Sequence, residues 1–278
     1  MLDLGLSQKS LEKPIDGVFI VGYWNSGTTM LADLLDRHPR LSLRRARWKK
    51  NNLEENITKR FLRSLGYDYP VFTHAYYKQI LKHGYHKSDE LTLNAGEIKN
   101  FRKKFKRNFF VLPKNKVLIK NTFMFLVKRF LDETFEHDRI KKIIILRNIF
   151  SQSVSRDNWR NGDPEENLID RCRFWNRNME YFFKHWHNDP ETFIFRYENF
   201  CQKPEEHLQK LCRFLDVDSS PLQNRAPQVE NRMERWFNLD QKYKDIVIKE
   251  TTTMQKKMDF YYPLISESDN PQNLEKIN

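Results

Sequence analysis

The feature that most narrows what this chain can fold into lies near its start. Gly17-Val-Phe-Ile-Val21 is followed at once by a glycine-containing turn and then a helix. Its β-branched, uncharged content reads as a short buried strand. Thr28 to Arg37 places Met30, Leu31, Leu34 and Leu35 on one face at helical spacing, and His38-Pro39 stops it. Further buried strands are expected at Val117-Leu-Ile119, Ile143-Ile-Ile-Leu146 and Thr192-Phe-Ile-Phe195. Helices are expected over about 123–135, 151–159, 164–186, 204–214 and 240–258, with Pro204 in a first turn where its missing N–H costs nothing. Strands alternating with helices imply an α/β fold: three layers, with a mostly parallel central sheet covered by helices on both faces.

No repeat or linker divides the 278 residues. The expected organisation is an N-terminal extension over 1–16, one domain over 17–263 and a polar tail over 264–278. Residues 40–116 are the least regular part, rich in Lys, Arg, Asn and aromatics, with helices expected near 53–65 and 76–83. Phe101-Arg-Lys-Lys-Phe-Lys-Arg-Asn-Phe-Phe110 interleaves basic and aromatic residues. It fits a basic helix on an anionic partner, but such a stretch is more often a solvated helix face with its aromatics in the core.

Lys and Arg exceed Asp and Glu by 12, which favours anionic partners: a nucleotide, a polyanionic glycan, an acidic membrane surface or nucleic acid. A basic solvated surface accounts for the same excess. Cys172, Cys201 and Cys212 show no metal-ligand spacing and suit reduced thiols. No apolar run approaches the roughly 20 residues of a membrane span, and Met1 to Pro14 lack a signal-peptide layout. The chain reads as soluble and cytoplasmic, with peripheral membrane contact open.

Chemistry concentrates in Gly22-Tyr-Trp-Asn-Ser-Gly27-Thr28-Thr29, between the first strand and its helix. Two glycines with four residues between them match the spacing of a phosphate-binding P-loop, where a sharp turn aims backbone N–H groups and a helix N-terminus at an anion. The lysine that such loops use on nucleoside triphosphates is Thr28 here. The later strand ends in Arg147, where nucleoside triphosphatases often place a magnesium-holding Asp. Both differences argue against a P-loop kinase and for a phosphate-bearing ligand held without metal. Alone, a Gly-Thr-Thr turn can simply cap a helix and a strand-end Arg can simply pair with a carboxylate. Their joint occurrence in a strand–turn–helix context favours an anion site.

These segments resemble the sulfotransferases that use PAPS (3′-phosphoadenosine 5′-phosphosulfate), particularly the bacterial and Golgi-like branches that modify glycans. The loop is similar to that family's G-x-x-[RK]-[ST]-G-T-[TS]. Arg147 and Ser155 stand as its 3′-phosphate pair, a strand-end Arg and a Ser eight residues on. Arg196-Tyr-Glu-Asn-Phe200, followed by Pro204, Leu208, Leu211, Phe214 and Leu215, looks like its R-Y-E-[DN]-L…P…L…L…F-L segment. Lys120 matches a strand-end lysine, and Arg235-Trp236 with Tyr262-Pro263 match its C-terminal R-W…Y-P pattern.

The resemblance implies a P-loop-like fold and a PAPS site. Asn25, Ser26, Gly27, Thr28 and Thr29 fall at the 5′-phosphosulfate, and Arg147, Ser155 and Arg235 at the 3′-phosphate. Tyr197 and Trp236 fall near the adenine, and Lys120 on the transferring sulfuryl group. PAP, the desulfated nucleotide, is the implied product, and no metal is implied. An acceptor hydroxyl needs a general base. Glu54 falls where several relatives place one, although Glu54 and Glu55 equally suit a helix's first turn. His74, His83 and His86 are further candidates. The implied acceptor is a glycan, a glycolipid or a small hydroxyl compound, and nucleic acid is not expected. One position departs from the pattern: Asn25 stands where the family usually carries Arg or Lys. Lys120, or a residue of the run Arg44, Arg45, Arg47, Lys49 and Lys50, can supply that charge. Otherwise the chain is a weakened or noncatalytic nucleotide- or polyanion-binding relative.

Overall fold

The computed structural model describes residues 14–23, 26–43, 94–96, 98–100, 102–103, 115–120, 122, 125, 128–153, 163–223 and 234–265. Five strands form one sheet: β1 (Asp16–Gly22), β2 (Leu41–Leu43), β3 (Lys116–Lys120), β4 (Arg139–Leu146) and β5 (Thr192–Arg196). Their order is β2-β3-β1-β4-β5, and every pairing is parallel. The helices are α1 (Thr28–Leu35), α2 (Lys128–Thr134), α3 (Ile149–Ser153), α4 (Pro164–His185), α5 (Tyr197–Gln202), α6 (Pro204–Phe214), α7 (Glu234–Phe237) and α8 (Gln241–Tyr261).

Strand alternation divides the core in two. Val18, Ile20, Leu118, Ile143, Ile145 and Phe195 face α1, α5 and α6. Phe19, Val21, Val117, Ile119, Ile144 and Leu146 face the other way, onto α2, α3, α4, α7 and α8. Both faces are therefore covered, which is why these strands read as continuous apolar runs. The helix after β1 lies on one face and those after β3 and β4 on the other, as right-handed crossovers in opposite directions require.

The expected strands and the long helices after Asp163, Lys203 and Asp240 are present, with differences that have physical causes. Helix α1 ends at Leu35, two residues early: the Arg37 N–H bonds the Leu34 carbonyl in a tighter turn, and the Asp36 carboxylate accepts from the Leu43 N–H at 2.8 Å. Strand β4 begins at Arg139, four residues before its apolar run. Lys142 sits there at 8% exposure because two carboxylates take its charge. Strand β2 and helix α5 had no expectation at all: one has three residues and the other follows β5 without a turn. The helices expected near 53–65 and 76–83, residues 154–159 of the one expected over 151–159, and residues 104–110 of the basic-aromatic stretch lie outside the described residues.

The Lys142 cluster closes the sheet at the start of β4. Its ammonium donates to Asp132 at 2.8 Å and Asp189 at 2.9 Å, and Lys128 pairs with the same two carboxylates. Burial alone would push the Asp189 carboxyl up, but hydrogen bonds from Lys142 and Thr192 and the lysine's charge outweigh it and hold it at about 2. A carboxyl depressed in the folded state contributes fully above its unfolded value near pH 4, and that contribution is lost as pH falls through the folded value. Asp189→Asn should therefore cost about 2 kcal/mol near neutrality and flatten the acid limb of stability between about pH 4 and 2. Urea denaturation at stepped pH reads both effects. An acid limb as steep in Asp189→Asn as in wild type would refute the assignment.

Candidate functional site

Because all five strands run the same way, the ends of β1, β3, β4 and β5 share one edge. Gly22 pairs with Ile145 and Leu146 with Arg196, so the chain leaves β1, β4 and β5 at nearly the same level. From β1 the chain turns to α1 on one face. From β4 it turns to α3 and α4 on the other. A crevice opens where neighbouring strands send their helices to opposite faces, the usual ligand position in open α/β sheets.

The glycine loop occupies that position. The Ser26 N–H donates to the Tyr23 carbonyl at 3.2 Å, closing the turn. Gly27 then adopts φ 101°, a left-handed conformation that a side chain disfavours. A Cβ on Gly27 would stand 2.7 and 2.8 Å from Cδ2 and Cε2 of Tyr197. One on Gly22 would stand 2.8 Å from the Ser26 Oγ and 3.0 Å from the Ile145 carbonyl oxygen. Both glycines are thus fixed by close approach. No side chain caps α1, so its first N–H groups lack that partner. The Ser26 Oγ is buried without a hydrogen-bond partner, Thr28 is buried and Thr29 is exposed.

Arg147 follows β4 directly and is held from three sides. Its guanidinium lies 4.2 Å over the Tyr197 ring, and its Nε donates to the Ser151 Oγ at 2.9 Å. The next N–H, of Asn148, donates to Glu198 Oε1 at 2.7 Å, while Asn148 Oδ1 accepts from Phe150 N at 2.8 Å and starts α3. Tyr197 therefore bridges two candidate elements, touching both Gly27 and Arg147.

The Arg196-Tyr-Glu-Asn segment has a structural counterpart further along the chain. Arg196 is 4% exposed and donates to Glu198 Oε2 at 3.1 Å, Asp259 Oδ1 at 2.8 Å and the Tyr262 carbonyl at 2.8 Å. Asn199 donates to the Pro263 carbonyl and accepts from Ile265 N, each at 3.0 Å. The Tyr262 hydroxyl meets His187 Nδ1 at 2.6 Å, and burial pushes its pKa up to about 12. The two distant sequence segments are thus halves of one clasp.

Of the sequence-expected site residues, Gly27, Tyr197 and Arg147 come together, with Ser26 and Thr28 in the same turn. Lys120, half-buried, is the last residue of β3 and pairs with Ile20 of β1. Trp236 is 1% exposed and packs on Phe150 of α3 with ring centroids 4.6 Å apart, while Arg235 beside it is exposed. Asn25, Ser155, Glu54, Glu55, the three candidate histidines and the run 44–50 lie outside the described residues. Sequence reasoning missed Ser151, Asn148 and the link from Glu198. Asn148, three residues before Ser151, carried a helix-start signal, but nothing marked its contact with Glu198. Among the described residues no group of three or more His, Cys, Asp or Glu is placed to hold a metal ion. No described helix is long and apolar enough to cross a membrane.

A sulfotransferase family model matches residues 17–221, well over half of the chain. The chain belongs to the sulfotransferase family. Solved sulfotransferases share its fold at low sequence identity. One from Mycobacterium avium is 12% identical with a TM-score of 0.53, covering 89% of this chain and 77% of that one. The sulfotransferase domain of the Synechococcus PCC 7002 olefin synthase is 16% identical with a TM-score of 0.50, covering 91% and 96%. Among curated proteins none matches. The match ends before α7 and α8, and the Arg196 clasp ties the end of α8 in this sulfotransferase to the sheet.

The glycine loop gives a direct test. Gly27→Ala meets both the positive φ and the Tyr197 ring, so it should destabilise the fold by about 1–3 kcal/mol. Denaturant midpoints measure this, and a Gly27→Ala chain as stable as wild type would contradict the described turn.

Proposed function

We propose that this sulfotransferase moves a sulfuryl group from PAPS to a hydroxyl or amine of an acceptor, a glycan, glycolipid or small hydroxyl compound, in the cytoplasm. One observation carries the proposal: an uncapped helix start behind Gly27 and a strand-end arginine lie against the same tyrosine ring. That arrangement suits a ligand bearing two separate anionic groups. The buried, partnerless Ser26 Oγ adds a hydrogen-bonding group in the turn. The residues present therefore fit the nucleotide.

In this proposal the α1 N–H groups, with Asn25, Ser26, Thr28 and Thr29, hold the 5′ end. Arg147, Ser155 and Arg235 hold the 3′-phosphate. Tyr197 and Trp236 stand near the adenine; Tyr197, 6% exposed, also lies beneath Arg147, and Trp236 packs on Phe150 of α3. When bound, PAPS supplies the activated sulfuryl group and leaves as PAP. Lys120 neutralises charge at the reacting centre, and Glu54 takes the acceptor's proton. Catalysis of this kind rests on positioning and electrostatic stabilisation. Cytoplasmic action agrees with three free cysteines, of which Cys172 and Cys212 are held as thiols by burial, at about 12 and 11.

Asn25 favours a second reading, a nucleotide- or polyanion-binding relative with weak or absent turnover. Transfer of labelled sulfate from PAPS to a panel of glycans, glycolipids and small hydroxyl compounds separates the two. A labelled product establishes the enzyme. PAP binding without any product establishes the second reading.

Two substitutions test the assignments. Arg147→Ala should weaken PAP binding by about 2–3 kcal/mol, the scale of a charge-assisted contact, and leave adenosine 5′-phosphosulfate nearly unaffected. Equal losses for both nucleotides would remove Arg147 from the 3′-phosphate. Lys120→Ala should keep PAP affinity within about tenfold and cut kcat far more, as a transition-state contact does. An unchanged kcat would remove Lys120 from the reacting centre.

A further inference from the structure

We infer that Glu198 is a positioning residue for nucleotide recognition: through the Asn148 N–H it fixes the peptide that carries Arg147, and so sets how well the chain reads a 3′-phosphate. The inference rests on the assignment of Arg147 to that phosphate.

Glu198 is 1% exposed and both of its oxygens are engaged. Oε2 accepts from Arg196 Nε at 3.1 Å, and Oε1 accepts from Asn148 N at 2.7 Å. A buried carboxylate needs such partners, because desolvation without them is costly. The second partner is the informative one. It is a backbone group in the peptide joining Arg147 to Asn148, at the turn from β4 into α3. The same turn is gripped by Asn148 Oδ1 on Phe150 N at 2.8 Å and by Ser151 Oγ, which donates to the Asn148 carbonyl at 3.1 Å and accepts from Arg147 Nε at 2.9 Å.

The first turn of α5 thus holds Arg147 twice. Tyr197 lies under the guanidinium at 4.2 Å, and Glu198 holds the peptide that follows. A guanidinium pre-aimed by its surroundings loses less freedom on binding an anion, which favours affinity and selectivity. Glu198 is itself aimed by Arg196, which Asp259 and the Tyr262 carbonyl hold in turn. Correct docking of the α8 end therefore feeds into the aim of Arg147.

PAP and AMP differ only in the 3′-phosphate, so the ratio of their affinities isolates its share. Calorimetric titration of the full chain with each nucleotide gives that ratio for every variant. Arg147→Ala should lower the ratio by about thirtyfold or more, the loss of a charge-assisted contact. Glu198→Ala should lower it by about tenfold while AMP affinity stays within about threefold. The double variant should lose no more than Arg147→Ala alone, because Glu198 acts through Arg147. A general structural defect would instead weaken AMP and PAP alike. If Glu198→Ala does not fold, Glu198→Gln carries the test. It keeps the shape but has one oxygen for two donors, and should lower the ratio by about threefold. An unchanged ratio in a folded Glu198 variant, with a collapsed ratio in Arg147→Ala, overturns the positioning role and leaves the Arg147 assignment standing. An unchanged ratio in Arg147→Ala overturns both. Additive losses in the double variant overturn the route through Arg147.

Discussion

A charged guanidinium sits almost fully out of water at the end of β5, and much of the molecule is arranged around that fact. Arg196 would carry a penalty of several kcal/mol if its charge were uncompensated. Glu198, Asp259 and the Tyr262 carbonyl compensate it, and they come from α5, α8 and the segment after α8. Buried ion pairs add little net stability relative to apolar packing, but losing one partner typically costs about 3–5 kcal/mol. Their value here is geometric. Three pieces of chain meet at one cation, and none can shift without leaving a buried charge unpaired.

The sheet supplies the second constraint. Parallel strands covered on both faces leave only their ends available for chemistry. The order β2-β3-β1-β4-β5 puts the turns after β1 and β4 side by side at such an end. Tyr197, one residue beyond Arg196, closes the arrangement by lying against the glycine turn and under Arg147. The opposite edge carries the Lys142 cluster, so charge is concentrated at both ends of β4 and excluded from the apolar run between them.

How much of this could be read in the sequence followed the range of the interactions. The apolar runs within β1, β4 and β5 were legible because they carry no charge and pack against helices on both faces of the sheet. The first half of β4 was not, because Lys141 and Lys142 look like surface residues until Asp132, Asp189 and Asp216 are placed beside them. The glycine turn and Arg147 were legible as local patterns of strand, turn and helix. So were Arg196-Tyr-Glu-Asn and Tyr262-Pro263, but as separate segments, and their union at one buried arginine was not. Hydrogen bonds between residues far apart in sequence, such as Asn148 to Glu198, leave no periodicity to detect.

The contact of Gly27 with Tyr197 joins an early turn to a residue made much later. During synthesis the glycine loop emerges with β1, long before β5 and the first turn of α5 exist to lie against it. Long-range closures of this kind form slowly, because the chain between must be ordered first. Arg147 likewise waits for its floor and for the carboxylate behind it. A nascent chain cut off anywhere before residue 197 therefore carries both halves of the crevice without the ring that sets their spacing. The arrangement around Tyr197 is a late acquisition of the folding chain, complete only when its last third docks.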